Sequence, residues 1–280
     1  MTGKVVLITG ATDGIGRQAA RELAALGARV AVVGRNPQKL ADTLSELGAG
    51  AVGIRADLSV QAEVRRAAAE FKARFDRLDV LINNAGNGFF LRRLSADGIE
   101  MTWALNHMAY FILTLELLDV MKASAPSRVV NTSSSAHYKG CIRWKDVERT
   151  WGYWMLGAYE QSKLANVMFT YALARRLEGT GVTANALHPG FVRTNIGGTQ
   201  NGWLGRLGQR IIFYKGISVE EGARATMRLA TDPALEGMTA KFFTRFGERR
   251  SSESSHDVNA QERLWALSEG YVRKAVIRNQ

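Results

Sequence analysis

The chain has little cysteine and little proline, and each shortage narrows what the protein can be. One cysteine in 280 residues, Cys141, excludes an internal disulfide and fits a reducing compartment. Four prolines and no Pro-rich or low-complexity segment mark no domain boundary, so we expect one domain over residues 1–280. No apolar run approaches the roughly 18 residues that span a bilayer, and the amino terminus shows no signal-peptide pattern. These absences predict a soluble, cytoplasmic protein.

Positive charge is in excess: 37 Lys and Arg residues against 26 Asp and Glu give a net charge of +11 at pH 7. Such an excess can indicate binding to nucleic acid or to an anionic membrane. Here the basic residues are scattered through every segment, and no nucleic-acid motif accompanies them. We therefore expect a solvated basic surface with one anionic cofactor site, no nucleic-acid partner and at most peripheral membrane contact. The four histidines show no metal-ligand spacing, so no metal is predicted.

Short apolar runs rich in Val and Ile alternate with longer helical patterns. Candidate strands cover Lys4–Thr9, Ala28–Val33, Ala51–Arg55, Asp79–Asn83, Arg128–Thr132, Val182–Leu187 and Ala240–Phe243. Candidate helices cover Ile15–Leu26, Val60–Phe75, Gly98–Met121, Tyr159–Leu177 and Val219–Ala230. Continuous apolar strands separated by helices indicate a parallel sheet covered on both faces. The predicted fold is α/β: a single-domain Rossmann-type, doubly wound parallel sheet of about seven strands with helices on both faces.

Two stretches interrupt this alternation, 136–157 and 197–216. The first carries Trp144, Trp151, Tyr153 and Trp154, and the second is rich in glycine and large apolar residues. Both follow strand ends, where loops build ligand sites in such folds. We expect a substrate-site insertion and a lid, with core packing as the alternative for the tryptophans. Shallow membrane contact is the alternative for 203–215.

The first strand leads directly into a glycine-rich turn and then a helix. Gly10, Gly14 and Gly16 allow a tight turn and close approach of the backbone to a pyrophosphate, and the helix amino terminus offers N–H donors to the anion. The pattern is therefore typical of a dinucleotide site.

Tyr159 and Lys163 stand four residues apart in a helical pattern, which places both side chains on one face. A phenol with a pKa near 10 is a poor acid or base at neutral pH. A neighbouring cation favours the phenolate and makes the tyrosine useful for proton transfer. Taken alone, the pair could arise by chance.

The order of motifs along the chain resembles the short-chain dehydrogenase/reductase family. The glycine spacing Gly-x-x-x-Gly-x-Gly is followed by Asp57-Leu58, Asn83-Asn-Ala-Gly86, Asn131-Thr-Ser-Ser-Ser135, the Tyr159/Lys163 pair, and His188-Pro-Gly190 with Thr194. The resemblance implies cofactor-binding roles for Gly10, Thr12, Asp13, Gly14, Ile15, Gly16, Arg35, Asp57, Leu58, Asn83, Ala85, Gly86, Tyr159, Lys163, Pro189, Gly190, Val192 and Thr194.

The end of the second strand bears on the choice of cofactor. NAD-preferring enzymes usually place a carboxylate there, and this chain has Gly34 followed by Arg35, which can pair with a 2′-phosphate. Asp13 argues mildly for NAD, although it also fits the role of a helix cap. We therefore expect NADP(H), with NAD(H) as the less favoured alternative.

The resemblance also implies catalytic roles. Tyr159 would donate a proton to the substrate oxygen in reduction, and Lys163 would lower the tyrosine pKa and bind the nicotinamide ribose. A serine after the fifth strand would hydrogen-bond the same oxygen. The family pattern selects Ser134, with Ser133 and Ser135 as competitors. Asn106 matches the asparagine that holds a water in the proton relay.

The spacing of 25 positions from Ser134 to Tyr159 resembles that of the retinol dehydrogenase-like branch. Ala96-Asp-Gly98 and Glu262-Arg-Leu-Trp265 agree with that branch. The resemblance implies a lipophilic carbonyl or alcohol substrate and a dimer or tetramer. Two alternatives remain: a catalytically weak NADP(H) sensor or scaffold, and a sugar-nucleotide epimerase or dehydratase.

Overall fold

The computed structural model describes residues 1–192 and 216–278. Eight strands of this part form one sheet in the order β3-β2-β1-β4-β5-β6-β7-β8. They are β1 (Val5–Thr9), β2 (Arg29–Gly34), β3 (Val52–Arg55), β4 (Val80–Asn83), β5 (Ser127–Thr132), β6 (Val182–His188), β7 (Phe242–Thr244) and β8 (Gly247–Glu248). The pairs up to β6–β7 are parallel, and β8 runs antiparallel to β7.

The helices lie between the strands and after them. They are α1 (Gly14–Ala25), α2 (Pro37–Leu47), α3 (Gln61–Arg74), α4 (Met101–Ala123), α5 (Met155–Arg176), α6 (Val219–Thr231) and α7 (Val258–Arg278). Helix α4 is long and apolar enough to cross a membrane, but 72% of its most apolar window is buried inside the protein. It is packed as a core helix.

Successive strand residues face opposite sides of the sheet, and each side has its own apolar core. Val5 and Leu7 of β1 join a cluster with residues of α3, α4 and α5. Val6 and Ile8 join a second cluster with residues of α1 and α6. Both faces are therefore covered by helices, which confirms the predicted doubly wound fold. The structure adds an eighth strand, two residues long, and the unpredicted helices α2 and α7.

The C-terminal helix α7 packs against α5 and α4. Glu262 pairs with Arg175 and Arg176, and the Trp265 ring lies 5.0 Å from the ring centre of Phe111 in α4. Two of the four residues Glu262–Trp265 singled out in the sequence thus fasten the last helix to the core.

The sheet order reverses between β1 and β4, which are neighbours although β2 and β3 separate them in the chain. Connections leave these two strands toward opposite faces and open a crevice at their carboxyl ends. The glycine turn after β1 and the Asn-Asn-Ala-Gly segment after β4 meet there.

Candidate active site

Glycines let the turns after β1 and β4 touch. Gly10 has φ +65°, and a Cβ atom there would lie 2.8 Å from Cα of Ala85. A Cβ on Gly16 would lie 2.5 Å from Nδ2 of Asn84. The Thr9 hydroxyl accepts hydrogen bonds from the backbone N–H groups of Asn84 (2.9 Å) and Ala85 (3.1 Å). The glycine motif is thus required for this close packing.

Helix α1 begins directly after the glycine turn. Asp13 is its N-cap and accepts a 2.8 Å hydrogen bond from the Gly14 N–H. The expected capping role of Asp13 is present. The amino terminus of α1 therefore faces the crevice, with the partial positive charge that suits a phosphate.

A cavity of about 310 Å³ occupies the crevice. Ten predicted cofactor residues line it: Gly10, Thr12, Asp13, Gly14, Ile15, Arg35, Asp57, Leu58, Ala85 and Gly86. Eight further lining residues were not predicted for this role: Val33, Gly34, Lys39, Ala56, Asn84, Asn87, Phe89 and Leu105. Glycines on three sides and a helix amino terminus fit a dinucleotide in chemistry and in shape.

Two predicted cofactor residues, Gly16 and Asn83, are placed behind this lining. Gly16 is the helix residue that packs on Asn84. Asn83 is fully buried, and its Nδ2 donates 2.9 Å hydrogen bonds to Thr114 Oγ1 and Asn131 Oδ1. Asn83 therefore ties β4 to β5 and α4, and the next residue, Asn84, presents its side chain at the cavity.

The end of β2 carries the residues on which the expected cofactor preference rests. A Cβ on Gly34 would lie 2.4 Å from Cγ2 of Thr12, so a carboxylate side chain at position 34 would require the Thr12 side chain to turn aside. Arg35 and Lys39 both line the cavity. Lys39 Nζ lies 2.7 Å from the Asp13 carboxylate, which offsets the negative charge of Asp13. Lys39 is not predicted from the sequence.

The turn after β3 is fixed by Asp57. Its carboxylate accepts hydrogen bonds from the N–H (3.0 Å) and hydroxyl (2.7 Å) of Ser59, and its own N–H donates to Glu63. Leu58 is buried beside it and lines the cavity.

The segment after β6 reaches the same edge of the sheet. Gly190 has φ +103°, and a Cβ there would lie 2.6 Å from Ile217. Val192 packs with Ile15 and Ala223. Pro189, Gly190 and Val192 thus run beside the start of α1. Thr194 and the predicted lid 197–216, apart from Gly216, lie outside the described residues.

Tyr159 and Lys163 lie on the first half of α5. Lys163 is buried, and its Nζ donates a 3.1 Å hydrogen bond to the Thr132 carbonyl. The same Nζ lies 5.4 Å from the ring centre of Tyr159 and 5.9 Å from that of Tyr110. Burial lowers the pKa of Lys163 to about 7, because the charged form loses its hydration.

Burial has the opposite effect on the tyrosine. It raises the pKa of Tyr159, and a hydrogen bond with Ser134 partly opposes the rise. The net direction is opposite to the expected lowering by Lys163, since loss of hydration outweighs the attraction of the nearby cation. The phenol of Tyr159 is therefore neutral at neutral pH and holds a proton that it can donate.

The three serines after β5 have distinct surroundings. The buried Ser133 donates from its hydroxyl to the Lys163 carbonyl at 2.7 Å, and Ser135 is exposed. Ser134 caps the short helical turn Ser135–Lys139 and accepts from the Ala136 N–H at 3.2 Å. Ser134 is also the serine whose side chain lowers the pKa of Tyr159, which places its hydroxyl near the phenol. The geometry therefore supports Ser134 for the role proposed from the sequence.

Asn106 lies in a π-helical turn, Ala104–Met108, inside α4. Its Nδ2 donates to the Asn87 carbonyl and to Ser162 Oγ, both at 3.0 Å, and its Oδ1 accepts from the Asn87 N–H at 2.9 Å. A Cβ on Gly86 would lie 3.2 Å from that Oδ1 and 3.3 Å from Lys163 Nζ. Asn106 thus connects the cavity wall to the helix of Tyr159 and Lys163.

The insertion 136–157 divides into a packed part and an exposed part. Trp144 packs against the core under Arg263, and the Tyr153 hydroxyl donates to the Phe89 carbonyl at 2.7 Å. Trp151 is 81% exposed and Trp154 56% exposed. Core packing thus accounts for some of the aromatic residues, and the others lie open beside the site.

This arrangement can move a proton and stabilise charge on an oxygen. Tyr159 holds the proton, the Ser134 side chain lies near it, and Lys163 provides a nearby positive charge that stabilises an oxyanion. The cavity ends at Gly86, beside Lys163. A nicotinamide held there would supply or accept the hydride.

Comparisons with known proteins agree with this site. The short chain dehydrogenase family matches residues 4–205. Retinol dehydrogenase 12 of Mus musculus is 41% identical over 273 residues, which cover 95% of this chain and 85% of that protein.

Two solved structures are similar in fold. A crystal structure of an uncharacterized protein from Mycobacterium paratuberculosis has a TM-score of 0.80 at 32% identity, and the match covers 97% of this chain and 94% of that one. A 3-ketoacyl-(acyl-carrier-protein) reductase from Brucella melitensis, complexed with NADH, has a TM-score of 0.68 at 25% identity, over 87% and 96% of the two chains.

The glycine-rich turns that line the cavity, the tyrosine–lysine pair and these matches lead to one conclusion. The chain belongs to the short-chain dehydrogenase/reductase family of oxidoreductases, which use a nicotinamide cofactor, and within it to the retinol dehydrogenase-like branch.

Proposed function

We propose that the protein is an NADP(H)-dependent reductase or dehydrogenase that interconverts lipophilic carbonyl compounds and alcohols. One observation carries this proposal: Tyr159, near the Ser134 side chain, lies beside the buried Lys163 at the end of a cavity whose other end holds Arg35 and Lys39. Proton transfer and recognition of a phosphorylated cofactor are thus joined in one site.

In the reductive direction Tyr159 donates its proton to the substrate oxygen. Burial keeps the phenol neutral, so the proton is available throughout the neutral range. Ser134 donates a hydrogen bond to the same oxygen, and Lys163 stabilises the phenolate that remains. In oxidation the same groups act in reverse, with Tyr159 as the base.

The preference for NADP(H) is supported by charge and by shape. Arg35 and Lys39 bring two cations to the cavity at the end of β2. A side chain at Gly34, where a ribose-binding carboxylate would stand, would have to displace the Thr12 side chain. Lys39 neutralises Asp13, the feature that favoured NAD in the sequence.

A lipophilic substrate is supported by the apolar surface beside Tyr159. The segment after β4 and the start of α5 meet there. A Cβ atom placed on Gly88 would lie 3.6 Å from the Met155 side chain. These segments expose Phe90, Leu91, Trp151, Trp154 and Leu156. An apolar rim of this kind suits a large apolar molecule, and the similar mouse protein is named a retinol dehydrogenase.

Purified protein should oxidise NADPH, followed by the absorbance of the reduced nicotinamide, with long-chain or aromatic aldehydes in a panel of aldehydes, ketones and quinones. NADH should support much slower turnover. Arg35→Asp should weaken NADPH binding far more than NADH binding. Equal losses for both cofactors would remove the NADP(H) assignment, and tight NADPH binding without turnover of any panel member would favour a sensor.

Assembly and location belong to the same proposal. We infer a cytoplasmic dimer or tetramer that does not bind nucleic acid. Light scattering coupled to size exclusion should give a mass of two or four times 30.7 kDa. A monomer at all concentrations would contradict the inferred assembly.

A further inference from the structure

His137 lies three residues after Ser134, in the short helical turn Ser135–Lys139, and is fully buried. Its ring packs on Tyr138 and Phe242, with ring centres 4.1 and 4.6 Å away. Its Nδ1 lies 2.6 Å from the Ser134 carbonyl, and its Nε2 accepts a 3.1 Å hydrogen bond from the Ser252 N–H. Both ring nitrogens are therefore engaged.

The Ser252 contact decides where the ring proton lies. A backbone N–H can only donate, so Nε2 must carry a lone pair and the ring must be neutral. The proton is then on Nδ1, which donates to the Ser134 carbonyl. The backbone N–H of His137 donates to the same carbonyl at 3.1 Å, so one residue supplies both of its hydrogen bonds.

These bonds fix the orientation of the Ser134 hydroxyl. With the carbonyl held by His137, the Ser134 backbone stays extended (φ −158°, ψ 157°), and its Oγ accepts from the Ala136 N–H. One lone pair of Oγ is thereby used, and the hydroxyl proton is left to be donated toward Tyr159 or a substrate oxygen. If the Ser134 carbonyl lost these hydrogen bonds, the Ser134 hydroxyl could turn away from Tyr159.

The segment that holds His137 is itself anchored. The Tyr138 hydroxyl donates to the Arg250 carbonyl at 2.5 Å. Ser251 Oγ contacts the Tyr171 hydroxyl and the Ser255 hydroxyl, both at 2.7 Å. The chain between β8 and α7 is thus a rigid support built from serines.

We propose that His137 is a positioning residue for Ser134 and that the Ser252 N–H sets its tautomer, so that residues 250–256 hold the proton-donating geometry of the active site. The inference rests on the proposed function, because it assigns to Ser134 a role in the reaction.

A matched pair at Ser252 tests it. Ser252 has φ −60°, which proline also adopts, so Ser252→Pro removes the N–H without demanding a new φ. Ser252→Ala keeps the N–H. The proline variant should lower kcat about tenfold with the KM for NADPH unchanged, and the alanine variant should match wild type. Equal kcat values for the two variants would overturn the inference.

A second pair tests the ring and does not depend on proline being tolerated. In His137→Asn the side-chain amide can take the place of Nδ1 and donate to Ser134, whereas in His137→Gln the amide reaches only the Nε2 position. The asparagine variant should keep more of the wild-type kcat than the glutamine variant. The reverse order would contradict the role of Nδ1.

The tautomer of His137 can be measured without an activity assay. Nitrogen-15 spectra of the four histidines should show His137 protonated on Nδ1, and the Ser134 carbonyl resonance should shift in His137→Gln but not in His137→Asn. A proton on Nε2 would overturn the inference whatever the activity. The expected spectra in a protein that turns over no substrate would defeat the proposed function alone.

Discussion

The Nζ of Lys163 lies 5.4 Å from the ring centre of Tyr159, and burial shifts their pKa values in opposite directions. The pKa of Lys163 falls to about 7, and that of Tyr159 rises. A lysine whose pKa is lowered is charged below that value and neutral above it. The charge that assists Tyr159 is therefore lost as the pH rises through about 7.

We expect kcat/KM for reduction to fall above about pH 7, because Lys163 loses its proton there. Lys163→Arg should move the fall to higher pH, since a guanidinium stays charged. Lys163→Met should lower kcat/KM at least about 100-fold and remove the fall. A pH series with each variant measures this, and an unchanged fall in Lys163→Arg would show that another group causes it.

The ion pair between Lys39 and Asp13 should set cofactor affinity. Lys39→Ala removes a cation and leaves the Asp13 carboxylate without this partner, so NADPH should bind roughly three- to tenfold more weakly. NADH, which lacks the 2′-phosphate, should bind within about twofold of wild type. Fluorescence titration gives both constants. The double variant Asp13→Asn/Lys39→Ala should recover part of the loss, and a failure to recover would mean that Asp13 does not face the phosphate.

Gly86 lies between the cavity and the helix that carries Tyr159 and Lys163. In Gly86→Ala the new methyl would lie 3.2 Å from Asn106 Oδ1 and 3.3 Å from Lys163 Nζ. Displacement of Lys163 should lower kcat about tenfold. Gly50→Ala is the matched control and should leave kcat unchanged, because no described residue apart from its chain neighbours comes within 4 Å of the added Cβ. Steady-state kinetics with a model aldehyde would compare the two, and full activity of Gly86→Ala would show that Lys163 can shift freely.

Alanine substitutions of the three serines after β5 should differ in their effects on turnover and on stability. Ser134→Ala should lower kcat about 100-fold with little change in unfolding. Ser133→Ala should cost about 1 kcal/mol of stability, because it loses the bond to the Lys163 carbonyl. Ser135→Ala should behave as wild type. Turnover and urea unfolding of the three variants measure this, and near-normal turnover of Ser134→Ala would contradict its role.

Local patterns in the sequence predict much of the fold and the centre of the site. Buried parallel strands are continuous apolar runs, and the glycine turn, Tyr159 and Lys163 are each set by short spacings. Their relative positions follow from the strand order of a doubly wound sheet. Most of the cavity lining therefore carries residues that the sequence already indicated.

The features that could not be predicted from the sequence depend on contacts between residues far apart in the chain or on small differences in backbone geometry. Lys39 was overlooked because α2 was not predicted, and its pairing with Asp13 spans 26 positions. The contact between His137 and Ser252 spans 115. Neighbouring residues of a strand point to opposite sides, so choosing between Asn83 and Asn84 needed the register of β4. The π-helical turn at Asn106 leaves no mark in the hydrophobic periodicity.

The contact between Gly34 and Thr12 also restricts how the protein could change during evolution. A Cβ at position 34 would lie 2.4 Å from Cγ2 of Thr12, so a carboxylate there requires the Thr12 side chain to turn aside. A smaller residue at position 12 removes that requirement. A shift in cofactor use through position 34 is therefore easier once position 12 has changed, although that first change alone offers no carboxylate for selection to favour.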